Sequence, residues 1–269
     1  MDNLGFAYQK YKIIDKKEVA PDTVIFKFDG AIAFEPGQFV QAALDHFGEA
    51  TFALCSSPHN SKFFELCIRN CGNTSAALSK LLPGDSVNLR GPYGNGWPMQ
   101  KLKNKEIVLI AGGMGYIPLR PVIFELLRQR NFKKIWLFAG FRSDEHVILP
   151  TEFDEMNKNK KMAVNVVVEY KSKPSWYTKG LITEPLSKAK IDYKNAIALM
   201  CGPEIMYKFS NDVLLKKGLN EEQIFISFER RMECGIGVCQ HCNVGKYLSK
   251  YCQHSFHPYI FVCYIIFSF

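Results

Sequence analysis

The sequence predicts a β + α/β protein in three successive parts: an antiparallel β-barrel, a parallel sheet covered by helices, and a short cysteine-rich clip. Three observations carry that prediction. Up to Pro98 the chain is a series of short alternating runs punctuated by Pro, Gly and Asp, the pattern of a small barrel. From Met99 to Phe228, apolar runs alternate with segments of helical period, which indicates a parallel sheet buried on both faces. From Glu229 the chain turns irregular, rich in cysteine and then apolar. The expected units are 1–98, 99–228 and 229–269.

Taken in order, "YKIIDKKEVA", "TVIFKFDG", "GQFVQAALD", "FFELCIRN" and "DSVNLRGP" supply the barrel strands. Between them, Gly72, Thr74 and Ser75 precede the short helical run "AALSKLL". A helix start bearing Gly, Thr and Ser serves either as a structural cap or as a phosphate cradle. The turn-rich "RGPYGNGWP" ends the barrel and offers Tyr93 and Trp97 for packing between units or over a ring.

The second unit opens with "IVLIAGGMGYIPLRPV": a buried strand, a tight turn through Gly112, Gly113 and Gly115, and a helix start into which Pro118 fits. Glycine lets the backbone approach a phosphate, and the helix N-terminus adds unpaired N–H groups. "KKIWLFAGF", "MAVNVVVEY" and "NAIALMCGP" are the further strands. The turn at Cys201, Gly202 and Pro203 also follows a strand, so both turns are expected at the carboxyl edge of one sheet, where ligands bind.

The composition is that of an ordinary globular chain of 269 residues, 47% hydrophobic and 22% charged. Its net charge of +8 is spread without long basic runs, which argues against a nucleic-acid footprint. It suits cofactor phosphates or an acidic partner, or simply a solvated basic surface. With no signal-like start and no apolar stretch of spanning length, the nine cysteines are read as cytoplasmic thiols without a disulfide framework. Cys55, Cys67 and Cys71 are expected as small buried hydrophobes.

"CGIGVCQHC" sets Cys234, Cys239 and Cys242 at Cys-x4-Cys-x2-Cys spacing, with Cys252 the expected fourth thiolate and Cys263 the alternative. The interposed glycines suit a 2Fe–2S loop, in which backbone N–H groups reach the sulfurs. Zinc clips more often carry paired Cys-x2-Cys units, and one such unit is present. His241, between two of the cysteines, is read as a loop residue. The apolar "YIFVCYIIFSF" that follows reads as a strand docked on a partner, an interfacial anchor, or the product of an altered reading frame.

"PGQFV" at 36–40, "GPYGNGWP" at 91–98, "AGGMGYIPLRPV" at 111–122, "CGP" at 201–203 and the cysteine clip occur in an order and spacing that resembles the ferredoxin–NADP reductase superfamily. Within it, the chain is similar to electron-transfer subunits that pair FAD with a 2Fe–2S cluster: those of sulfhydrogenase (gamma), anaerobic sulfite reductase (B) and dihydroorotate dehydrogenase.

The resemblance implies that the barrel binds FAD, with Thr51, Phe52, Ala53, Leu54, Cys55 and Ser56 along the flavin and Gly72, Asn73, Thr74 and Ser75 on its pyrophosphate. It implies NAD(P)H at Gly112, Gly113, Met114 and Gly115, with Cys201, Gly202 and Pro203 beside the nicotinamide and Arg142 near the adenosine ribose or its phosphate. Cys201 stands at the hydride-transfer position as a packing and positioning residue. Where most of the superfamily carries Arg-x-Tyr/Phe-Ser, this chain has Ala50-Thr51-Phe52-Ala53, so contact with the flavin falls to a backbone N–H, Cys55 or Ser56.

The implied function is electron transfer between NAD(P)H, FAD and a 2Fe–2S cluster, in service of a partner redox subunit. The alternatives are a free-standing NAD(P)H:acceptor reductase and a zinc-clipped scaffold subunit. Neither nucleic acid nor a transmembrane span is expected.

Overall fold

The structure, a computed structural model, describes residues 7–171, 175–228, 232–236, 238–239 and 241–242, together with the backbone of 229 and 260–264. Alternating apolar residues build the first sheet. Its strands are β1 (Gln9–Ala20), β2 (Thr23–Asp29), β3 (Phe39–Leu44), β4 (Gly48–Ala53), β5 (Phe63–Arg69) and β6 (Ser86–Tyr93). They lie in the order β4-β3-β6-β1-β2-β5, every neighbouring pair antiparallel. A bridge between Leu54 and Leu66 joins the two ends and closes the barrel.

Inside the barrel, Phe26, Phe28, Phe52, Phe64, Leu66 and Leu89 form one buried cluster. The Phe28 and Phe64 rings stack with centroids 5.1 Å apart. Burying each such side chain stabilises the fold by roughly 1.5–3 kcal/mol. A short helix, α1 (Asn73–Ser79), follows β5. The sequence pattern did not single out β4 as a strand. "GEATFA" alternates weakly, and its conformation is set by residue-for-residue pairing with β3, from Phe39 opposite Ala53 to Leu44 opposite Gly48.

The second sheet comprises β7 (Glu106–Gly112), β8 (Lys134–Ser143), β9 (Met162–Tyr170), β10 (Thr178–Lys179), β11 (Ala196–Cys201), β12 (Ile224–Glu229) and β13 (Ile260–Tyr264). Its order is β10-β9-β8-β7-β11-β12-β13, with all neighbours parallel. Helices α2 (Tyr116–Gln129), α3 (Pro150–Asn157), α4 (Thr183–Lys188) and α5 (Glu204–Lys216) accompany it. Because β8 lies on one side of β7 and β11 on the other, the connections diverge at the carboxyl ends of β7 and β11, which opens a crevice there. The apolar tail contributes β13, paired in parallel with β12 from Phe225 opposite Ile260 to Glu229 opposite Tyr264. Among the described residues, no helix is long and apolar enough to cross a membrane.

Helix α2 fastens the sheet to the barrel. Arg120 donates from Nη1 to the Cys55 carbonyl at 2.8 Å and to Glu65 Oε2 at 2.7 Å. It also donates from Nε and Nη2 to the Glu152 carboxylate on α3. Glu125, one turn further on, meets His59 of the barrel at 2.6 Å. Trp97 Nε1 donates to the Pro118 carbonyl at 3.0 Å, so this tryptophan does pack between the two units.

Cys55 and Cys67 are buried as expected, but Cys71 is exposed. It stands just ahead of α1, where its N–H donates to Ser75 Oγ at 3.1 Å, and this start of the helix leaves the thiol at the surface.

Candidate functional site

The two strand-end turns meet at the crevice. Cys201 is in register with Ala111, so the residues that follow each of them are neighbours. A Cβ on Gly115 would fall 2.0 Å from the Cys201 carbonyl oxygen, and one on Gly112 would fall 2.5 Å from Pro203 Cδ. Glycine is required at both positions by this close approach of the two turns. Gly113 differs: its φ is +54° and the space beside it is open. It is the turn residue whose backbone faces an open approach. Tyr207 locks the second turn, since its hydroxyl accepts from Gly202 N–H at 2.8 Å and donates to the Ser227 carbonyl.

Above the turns lies a cavity of about 860 Å³ lined by Gly112, Gly113, Arg142, Glu169, Pro203 and Lys216, among others. That volume is in the range of small-molecule sites. Of the predicted nucleotide residues, Gly112, Gly113, Pro203 and Arg142 share the cavity. Cys201 and Met114 instead pack into the core beneath it. Glu169, Asp212 and Lys216 were not foreseen. A signal existed in α5, where Ile205, Phe209 and Val213 recur at intervals of four on a face distinct from buried Tyr207 and Leu214. Arg142 and Lys216 give the cavity the cationic groups that phosphates require, so its residues fit a nicotinamide dinucleotide.

On the barrel, Thr51 to Ser56 run from β4 toward α2, and most of their side chains are engaged inward. Phe52 and Leu54 belong to the barrel core. The Cys55 thiol donates to the Glu65 carbonyl at 3.3 Å, and Ser56 Oγ accepts the Glu65 N–H at 3.2 Å. Burial pushes the Cys55 thiol well above its ordinary value despite the nearby Arg120 cation, and pushes Cys67 up to about 12. Neither is a nucleophile at neutral pH. Only Ala53 of this stretch is half-exposed, and the N–H groups of Leu54 and Cys55 are taken by the Gln38 and Glu65 carbonyls.

At α1, Ser75 Oγ accepts from Gly72 N–H at 3.0 Å, and Thr74 Oγ1 donates to the Phe47 carbonyl at 2.6 Å. These hydroxyls hold the loop in shape. The N–H groups of the first helical turn, which have no partner within a helix, are the donors a diphosphate would find there.

The cysteine segment packs between the two units. Cys234 Sγ accepts from the N–H groups of Val238 at 3.3 Å and Cys239 at 3.5 Å. Burial raises the Cys234 thiol, but donation from Cys239, Ile236 and Val238 outweighs it and brings the thiol below its ordinary value. Such a sulfur is prepared to carry negative charge, as a metal-bound thiolate must. Cys242 is 2% exposed and packs into the core. Glu233, Cys239 and His241 bring their ligand atoms within 4.8 Å of one another. Cys252 lies outside the described residues, and Cys263 stands in β13 opposite Phe228. One buried cluster contains Cys55 of the barrel stretch, Cys201 of the second turn and Cys242 of the cysteine segment, so the three regions singled out by sequence share a core.

Comparison with known proteins agrees with this layout. The oxidoreductase FAD-binding domain family matches residues 10–97, and the oxidoreductase NAD-binding domain family matches 109–212. Sulfhydrogenase 2 subunit gamma of Pyrococcus furiosus is 35% identical, across 90% of this chain and 93% of its own. A probable dihydroorotate dehydrogenase B (NAD(+)) electron transfer subunit of Thermococcus kodakarensis is 33% identical, across 90% and 92% respectively. A ferredoxin NADP+ reductase from Neisseria gonorrhoeae, solved with FAD and NADP, superposes with a TM-score of 0.70 at 18% identity, over 82% of this chain and 98% of that one, which is a likeness of fold.

Proposed function

Since the chain belongs to the ferredoxin–NADP reductase superfamily of FAD- and NAD-binding oxidoreductases, we propose that it is an electron-transfer subunit of the sulfhydrogenase or dihydroorotate dehydrogenase type. In this reading residues 1–98 bind FAD, 99–228 bind NAD(P)H and 229–269 carry a 2Fe–2S cluster that serves a partner redox subunit in the cytoplasm. The observation that carries it is the single buried cluster joining Cys55, Cys201 and Cys242. A relay needs its stations close to one another, and packing of these three segments into one core supports that.

When bound, FAD supplies the conversion between hydride transfer from a nicotinamide and single-electron transfer to an iron–sulfur cluster. The chain's own residues bind, orient and shield. Gly112 and Gly113 admit the dinucleotide backbone, while Arg142 and Lys216 meet its phosphates. Cys201 and Gly202, fixed by Tyr207, form a rigid floor that sets where the nicotinamide ring stops. Thr51 to Ser56 present the flavin with a strand edge, and Gly72 to Ser75 present its diphosphate with a helix start. Hydride transfer needs no acid/base pair, and the buried thiols of Cys55 and Cys201 act by position. Cys234, Cys239, Cys242 and Cys252 are the proposed cluster ligands, with sulfur charge offset by the N–H groups of Val238 and Cys239.

A second reading is a zinc-clipped scaffold, favoured by the mixed oxygen, sulfur and nitrogen set of Glu233, Cys239 and His241. Anaerobic purification with metal analysis and an absorption spectrum separates the two. Flavin with iron and acid-labile sulfide is expected; a colourless zinc protein would overturn the relay.

A further inference from the structure

The barrel reaches into the cysteine segment with three side chains, all of them buried. Arg90 of β6 donates from Nη1 to the Cys234 carbonyl at 2.8 Å and from Nη2 to the Glu233 carbonyl at 3.0 Å. Gln41 of β3 donates from Nε2 to the same Glu233 carbonyl at 3.2 Å, while its Oε1 accepts from Thr51 Oγ1 at 2.5 Å. Tyr93 lays its ring against Gly235, where a Cβ would fall 2.7 Å from ring Cδ2 and where φ is +77°. The guanidinium is itself anchored, through Nε and Nη2 to the Glu49 carboxylate at 3.0 and 2.6 Å and through Nη1 to Tyr93 Oη at 3.3 Å.

Gln41 is fully buried and Arg90 is 5% exposed. A buried amide and a buried guanidinium are costly unless their hydrogen bonds are filled, and here they are filled by backbone of the cysteine segment. The contacts therefore fix three consecutive residues, Glu233 to Gly235, around the first cysteine of the clip. They also bond the backbone beside that cysteine, through Gln41, to Thr51 in the stretch assigned to the flavin. A metal-ligating loop shaped before the metal arrives loses less conformational freedom on loading, which raises affinity.

We propose that Arg90, Gln41 and Tyr93 are positioning residues for the cluster-binding segment. They hold Glu233–Gly235 in ligating shape without metal and fix its distance from the flavin strand. The inference rests on the iron–sulfur reading only for its metal readout.

The test uses the full chain, purified anaerobically with its cofactors, as Arg90→Lys, Gln41→Leu and Gly235→Ala. Lysine keeps the charge of Arg90 but cannot span two carbonyls and a carboxylate. Amide hydrogen exchange across 232–242 and the iron-to-flavin ratio are measured. In Arg90→Lys, exchange is expected to speed up by about tenfold or more and the iron-to-flavin ratio to fall by about half, with a smaller change in Gln41→Leu. Wild-type protein stripped of iron by a chelator should keep slow exchange at Val238 and Cys239, whose N–H groups donate to Cys234 Sγ and depend on the shape of Glu233–Gly235.

Rapid exchange there in stripped wild type would overturn the proposal, as would Arg90→Lys with unchanged exchange and iron. If Arg90→Lys does not fold, Gly235→Ala, altered only within the segment, decides the matter by the same two readouts. Should the wild type carry no iron while the variants still loosen 232–242, the positioning role stands and the cluster reading falls. Iron present with no loosening in any variant gives the reverse.

Discussion

Two arginines tie this molecule together, and they do so on different terms. Arg120 joins α2 to the barrel and is met by two carboxylates, Glu65 from the barrel and Glu152 from α3, as well as the Cys55 carbonyl. Arg90 joins the barrel to the cysteine segment and is met there by the carbonyl oxygens of Glu233 and Cys234, while the Glu49 carboxylate holds it from its own side. At the first junction both partners bring charge, and the contact is complete in itself. At the second, the held segment meets the guanidinium with backbone dipoles, those of the Glu233 and Cys234 carbonyls. The barrel and sheet are thereby joined charge to charge, and the clip is joined to the barrel through its own backbone.

The largest test of that contrast is Arg120→Met. It strands Glu65 and Glu152 in a poorly hydrated junction, and a loss of about 3–5 kcal/mol is expected in urea unfolding, with the single transition splitting in two. Glu49→Gln removes the carboxylate that anchors Arg90 and should cost less, about 2 kcal/mol, with the loss concentrated in hydrogen exchange at 232–242. Burial raises the Glu49 carboxyl, but Arg90 and Tyr8 outweigh it, so it lies below its ordinary value. Its stabilising effect is therefore present above the usual carboxylate pKa and is lost as pH falls below it. A pH titration in which the protection of the segment, corrected for the intrinsic pH dependence of amide exchange, does not fall on acidification would contradict this.

Trp97→Phe deletes one hydrogen bond to Pro118 between the rigid parts. A drop of about 1 kcal/mol in thermal unfolding is expected, with no change in the clip. Smallest is Glu125→Gln. The Glu125 carboxyl is held at about 2 by Arg128 foremost, then Gln129 and His59, against the effect of burial. The stabilisation is complete above the ordinary carboxylate value and disappears as pH falls toward 2. Since Arg128 and His59 are half-exposed, solvent screening limits the loss to about 0.5 kcal/mol at pH 7. Equal stability of wild type and variant at pH 2, with a gap at pH 7, is the signature to look for.

The two turns at the switch point were legible because each sits in a short segment whose own residues declare it: an apolar strand, glycines, a helix start. The barrel strands were legible for the same reason, except β4, whose conformation is imposed by β3. The junctions were not legible. Arg90 and Cys234 are 144 positions apart, and Arg120 and Cys55 are 65 apart, so no local pattern links them. One hint was available. Gln41 is the lone polar residue in the apolar run "FVQAAL", and a buried amide has to find partners somewhere. Likewise, the sequence suggested that glycine at 112 and 115 serves a ligand, whereas the structure shows each of them first making room for the neighbouring turn.

That mutual fit has a consequence for descent. Each turn is the mould in which the other is cast, so a side chain gained at Gly112 or Gly115 is survivable only with a matching retreat at Cys201 to Pro203. The two short motifs, 90 residues apart along the chain, are in effect one heritable character. Lineages that drift at one should be found to have drifted at both.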